Sequence, residues 1–155
     1  MDKVKKYLPI AAMISAILAV ILFLVCDVFV PVEKSMVKPG NGFETTFGKK
    51  EEFMGMKETI YKFNFMGLLT IILAIVAMVA LAISVKKANK IAAIVSIACF
   101  VVAAIFFFCA KSFVLSANDA KELADAYKNG VGAILAGILS LVSAAAVAGA
   151  TFLKD

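Results

Sequence analysis

The stretch FNFMGLLTIILAIVAMVALAISVKKANKIAAIVSIACFVVAAIFFFCA, residues 63–110, holds two charge-free runs, 63–85 and 91–110, around a link with three lysines. A helix rises about 1.5 Å per residue, so about 20 apolar residues cross a hydrocarbon core of roughly 30 Å. Neither run alternates apolar with polar residues, as the strands of a membrane β-barrel must. Two membrane-spanning helices joined by a tight polar link are therefore predicted.

Two more such runs flank this pair, at 7–26 and 129–153, so the four runs are 20 to 25 residues long. Of the 155 residues, 63% are apolar, well above the share of a soluble domain. Too little polar chain remains to cover four apolar helices in water. The prediction is an all-α membrane protein, a four-transmembrane-helix bundle forming one integral membrane domain. Its spans are 7–30, 63–85, 91–111 and 129–153, with an outer loop at 31–62, an inner link at 86–90 and a second outer loop at 112–128. The basic start would suit a signal peptide, but a 20-residue run exceeds the usual signal core of about 7–15 residues. Val25 before Cys26 is too large for a lipidation signal, which wants a small residue there.

The net charge of +5 comes from lysine alone, since the sequence has no Arg. Lysines beside apolar spans fix orientation in a membrane, which removes nucleic-acid binding as the explanation of the basic balance. The tail MDKVKK and the link VKKANK carry the dense lysine clusters, whereas 31–62 mixes six Lys with five Glu. Both termini are thus expected inside, at the plasma membrane, with the long first loop outside. The lack of Arg and Trp points to an AT-rich bacterial genome. Phe29, Tyr61, Phe63, Phe113 and Tyr127 would ring the outer interface, with Tyr7 and Phe152 at the inner one.

In the fourth span, Gly132, Ala136, Ser140, Ala144 and Ala148 recur every four residues, beside a second small stripe of Ala133, Gly137, Ala145 and Gly149. Small residues on one face let helix backbones approach closely. This span is expected at the centre of the bundle, packed within its own chain, with a homo-oligomer seam as the alternative. A faint repeat links IAAMIS (10–15) with IAAIVS (91–96). It sets Asp27 and Lys111 at similar depths on parallel helices. They either form a rim ion pair or each mark where a span meets water.

The first outer loop is too long for a mere connector. KPGNG at 38–42 is a turn signal, with a hairpin expected from VEKSMVK and FETTFG. Phe53, Met56, Ile60 and Phe63 fall at helical spacing, so EEFMGMKETIYKF is expected as an amphipathic helix, with extended structure through TIYKFNF as the alternative. The first extracytoplasmic loop is thus expected to be partly structured, hairpin plus helix. SANDAKELADAY is expected as a short helix capped by Ser116 or Asn118.

Little in the chain carries chemistry. There is no His, and Cys26, Cys99 and Cys109 form no C-x-x-C pair, so no metal, cofactor or catalytic group is expected. A four-helix layout with both ends inside and a long, β-rich first outer loop is similar to that of claudins in topology. That loop has no Trp and no Cys here, so no residue role is carried over. The expected role is non-enzymatic, in protein–protein or self contacts through the outer loops. Phe43, Phe47, Phe53, Met56 and Tyr61 are the expected contacts, and the partners are the lipid bilayer and another membrane or surface protein or a second copy. The alternative is a small oligomeric transporter or channel lined by Ser140, Ser143, Asn64 and Thr70, with Asp27 and Lys111 at its mouth.

Overall fold

The computed structural model describes residues 2–31, 40–117 and 127–153; of these, 2, 29–31, 53, 58–60 and 127 are described as backbone alone. Four helices are long and apolar enough to cross a membrane: α1 (Asp2–Val25), α3 (Phe65–Lys87), α4 (Lys90–Phe108) and α6 (Val131–Phe152). The most apolar stretches within them coincide with the charge-free runs. Shorter elements fill the connections: β1 (Asp27–Pro31), β2 (Gly40–Asn41), α2 (Gly42–Phe47), β3 (Lys49–Phe53), β4 (Met56–Tyr61), α5 (Ala110–Ala117) and β5 (Tyr127–Asn129).

On α1 and α6 most branched aliphatic side chains face outward and most small ones inward, while Phe23, Phe100, Phe107 and Leu81 fill the interior. On α1, Ile10, Ile14, Ile17 and Ile21 are exposed while Ala12, Ala16, Ala19 and Phe23 are buried. On α6, Ile134, Ile138 and Leu141 are exposed while Ala133, Ala136, Ser140 and Ala144 are buried. Such an arrangement would fail in water, where bulky apolar groups are worth most inside. It suits a bilayer, where lipid tails cover the outer face and close backbone approach holds the helices together.

Helix α6 sits between α1 and α4, and α3 completes the bundle against α4. This intramolecular position is where the small-residue stripe leads. Ala148, at its far end, is half-buried. At the other end the approach is closest: a Cβ added to Gly132 would lie 2.9 Å from the carbonyl oxygens of Leu22 and Cys26 and 3.0 Å from that of Asp27. Two serine hydroxyls cross between helices. Ser143 Oγ lies 3.0 Å from the Ala12 carbonyl, joining α6 to α1, and 2.9 Å from its own Leu139 carbonyl. Ser96 Oγ donates to the Ala77 carbonyl at 2.9 Å, joining α4 to α3. In the aligned segments of the faint repeat, Ala12 and Ala93 are both buried.

Tight ends separate the spans. Asn89 caps α4 by accepting from the amides of Ile91 and Ala92, and Ala88 turns the chain in the left-handed region at φ 48°. Helix α1 stops at Val25, short of residue 30. Asp27 therefore begins a strand outside the helix and is exposed.

Gly132→Ala is expected to cost about 1–3 kcal/mol, the usual range for overpacking, because the atoms it meets are backbone and cannot yield. Gly149→Ala, whose Cβ would meet only the side chains of Leu8 and Leu153 at 3.4 and 3.6 Å, is expected to cost nothing measurable. Thermal unfolding of both variants in mild detergent separates them.

Candidate functional site

The lysine-bearing start of α1, the α3–α4 link and the last turns of α6 share one end of the bundle, where they line a common cavity. The described parts of the two other connections, 26–31 with 40–64 and 109–117 with 127–130, build a cap at the other end. Its base is a three-stranded antiparallel sheet in the order β2-β1-β5. Asp27 and Phe29 pair with Asn41 and Gly40, and Phe29, Val30 and Pro31 pair with Asn129, Lys128 and Tyr127. The sheet thus joins the first connection to the second. Gly130 N donates to the Val28 carbonyl at 2.7 Å, and Asn129 Nδ2 donates to the Phe108 carbonyl at 2.7 Å, tying the sheet to the end of α4.

The two structured parts of the first loop exchange places relative to expectation. FETTF is the helix α2. Asn41 caps it through a 2.8 Å bond from the Glu44 amide, which outweighs the period-two pattern of Phe43, Thr45 and Phe47. Thr45 and Thr46 face inward, and Phe43 and Phe47 are exposed, their ring centroids 5.0 Å apart one helical turn from each other. EEFMGMKETIY lies in the hairpin β3–β4, not in an amphipathic helix. Met54 and Gly55 turn it with φ 50° and 81°, a pair of positive angles that matches the twist of a tight hairpin. Residues 32–39 and 118–126 lie outside the described residues, so the VEKSMVK strand and most of the SANDAKELADAY helix are not addressed. Ser116 sits inside α5.

The apolar contact residues divide. Phe43, Phe47 and Met56 are 57%, 46% and 68% exposed, and Met54, which the helical spacing had passed over, is 88% exposed at the hairpin tip. Tyr61 is largely buried, in the core cluster that also holds Phe23, Val28 and Ile71 beneath the cap, and it lines a groove at the hairpin base. Phe53 is described as backbone alone, paired with Met56 at the hairpin end. At the hairpin base Lys49 Nζ bridges Glu44 at 3.0 Å and Glu51 at 3.1 Å. The Glu44 hydrogen bond, then that of Glu51, hold the Lys49 pKa above its ordinary 10.5. A raised lysine pKa contributes stability through neutral pH and loses it as pH climbs through the folded value. Next to this bridge lies a groove of about 450 Å³ lined by Phe47, Gly48, Lys49, Lys50, Tyr61, Lys62 and Phe63.

Asp27 and Lys111 lie on different elements, β1 and α5. Asp27 is exposed and Lys111 half-buried, so neither the rim pair nor the separate marking of the span ends is selected by their placement. The four polar residues of the alternative pathway are all buried. Three of them are engaged locally: Asn64 Oδ1 caps α3 by accepting from Gly67 N at 3.1 Å, Thr70 Oγ1 donates to the Met66 carbonyl at 2.8 Å, and Ser143 is bonded as above. Cys26, Cys99 and Cys109 are free thiols. Compared with protein-family models, with curated proteins and with solved structures, the chain matches none.

Beneath the cap, Thr46 Oγ1 is buried against Gly67 and has no hydrogen-bond partner among the described residues, while its carbonyl accepts from Asn64 N at 2.8 Å. An orphaned buried hydroxyl costs about 1–3 kcal/mol. Thr46→Val is therefore expected to hold or raise the unfolding temperature. Asn64→Ala, which removes the α3 cap, is expected to cost about 0.5–2 kcal/mol. A large loss in Thr46→Val would show that the hydroxyl is bonded after all.

Proposed function

We propose that this is a non-enzymatic, multi-pass plasma-membrane protein whose cap, on the outer side, binds another membrane or surface protein. The observation that carries the reading is the exposed apolar set Phe43, Phe47, Met54 and Met56, held on a hydrogen-bonded platform beyond the span ends. Exposed aromatics and methionines held together on a supported surface are the usual anchors of a protein interface. The lysine groove beside them would receive acidic side chains, so the partner would present carboxylates around an apolar patch. The orientation rests on lysine distribution: Lys3, Lys5, Lys6, Lys86, Lys87 and Lys90 gather at the end opposite the cap, as cytoplasmic ends require. The transport alternative draws less support, because Asn64 Oδ1 and Thr70 are bonded within the start of α3 and Ser143 is bonded to backbone carbonyls of α1 and α6.

Purification from native membranes in mild detergent, beside the Phe43→Ser/Phe47→Ser/Met56→Ser variant, tests this. A stoichiometric partner is expected with the wild type and lost with the variant, in keeping with about 2 kcal/mol or more for removal of interface anchors. Equal recovery from both would contradict the reading.

A further inference from the structure

The hairpin β3–β4 carries an open strand edge whose charges have an unusual order. Among the described residues β3 pairs with β4 alone. The tight turn at Met54 and Gly55 makes Phe53 and Met56 the hydrogen-bonded pair beside it. Opposed residues of an antiparallel ladder alternate between bonded and non-bonded pairs. Glu51 with Glu58 is therefore a bonded pair, whereas Glu52 with Lys57 and Lys50 with Thr59 are non-bonded. The backbone N–H and C=O groups of Lys50 and Glu52 thus point away from β4, along the outer edge of β3. The side chains of Lys50, Glu51 and Glu52 are all exposed.

An open edge is a template for another strand, and a row of like charges is one way to block it. Here the row Lys49-Lys50-Glu51-Glu52 changes sign halfway, so it opposes most strands but suits its own antiparallel copy. Two copies related by a two-fold axis oppose residues that share one face of the sheet, so the axis passes through a residue. An axis at Lys50 would set two ammonium groups against each other, and an axis at Glu52 two carboxylates. Like charges directly opposite are destabilising. With the axis at Glu51, Lys50 faces Glu52 of the copy and Glu52 faces its Lys50, at the two positions whose backbone groups are open. The two Glu51 carboxylates then meet at the axis, but each is already bridged by its own Lys49 at 3.1 Å.

We propose that β3 is a homodimer seam, in which the outer edges of two copies pair about an axis at Glu51. The two hairpins become one four-stranded antiparallel sheet in the order β4-β3-β3-β4. A lone two-stranded hairpin is marginal in water, and added strands remove that weakness. The seam lies on the strand edge and not on the apolar set, so its test needs no other protein and stands apart from that of partner binding.

The test uses the full chain, with its three native cysteines replaced, purified in mild detergent. Glu51→Cys places one thiol per copy at the axis. Opposed Cα atoms of a non-bonded pair lie about 4.5 Å apart, within disulfide reach. Lys57→Cys, exposed on β4 and a strand away from the axis, is the control. Mild oxidation is expected to give a covalent dimer at position 51 and none above background at 57. In the Glu51→Cys chain, Lys50→Glu or Glu52→Lys sets like charges opposite each other at both pairs. At a few-fold per cross-strand charge pair, each variant alone should weaken the dimer by about tenfold or more. An equal mixture of the two should restore it, because in the mixed pair every lysine again faces a carboxylate. No dimer at 51, cross-linking at 57 as strong as at 51, or a mixture as weak as its components would overturn the proposal.

Discussion

The constraint on which this structure depends is that a bilayer gives helices no hydrophobic reward for associating. Lipid tails are as apolar as leucine, so helices hold together only by how closely their backbones can meet and by the polar bonds they exchange. The alanines of α1 and the small stripe of α6 meet that demand. Where α6 begins, Gly132 lies directly against the carbonyls of Leu22, Cys26 and Asp27 around the end of α1. Serine hydroxyls join α6 to α1 and α4 to α3, each bonded to a backbone carbonyl of the neighbouring helix. Each such bond is worth on the order of 0.6 kcal/mol in a membrane bundle, so several small terms, not one large one, define the packing.

The same contact places the cap. Since α6 meets α1 at its very end, the strand that follows α1 and the strand that precedes α6 lie side by side and pair as β1 and β5. Gly42, whose absent Cβ would strike the Phe23 carbonyl, brings α2 down onto the same spot. Asn64 N then bonds to the Thr46 carbonyl and connects α2 to the start of α3. The two connections thus become one platform anchored to the ends of α1, α3, α4 and α6. The hairpin stands on that platform, with Tyr61 buried at its foot and Met54 exposed at its tip. Rigidity below and apolar exposure above are what a contact surface requires.

The spans and the central place of α6 were legible in the sequence, because charge-free length and the spacing of small residues are set by the bilayer itself. The loop was not, because short elements are decided by local bonds that patterns only hint at. Phe43 and Phe47 are two steps from Thr45 and also one helical turn apart, so both periods fit; the Asn41 cap selects the helix. In EEFMGMKETIY, the apolar spacing suits a helix, and the signal against it was Gly55, which supplies a positive φ at the second place of a two-residue turn. The sequence groups Tyr61 with the apolar residues of the first loop, and nothing in its spacing shows that it turns toward the core. Its burial follows from its position beside the close approach of β2, where Gly40 has room for no side chain against the Tyr61 ring. Asp27, at the end of the apolar run, proves to be the first residue of a strand, and Val25 is the true end of the helix.

Accessibility of the two ends tests the account most directly. A cysteine-free background with single cysteines at Met54, on the hairpin tip, and at Ala88, in the link between α3 and α4, would be treated in intact cells with a membrane-impermeant maleimide. The account requires labelling at position 54 in intact cells and at position 88 only after permeabilisation. Labelling of both positions from the same side would contradict a four-span bundle with its cap and its lysines on opposite faces of the membrane.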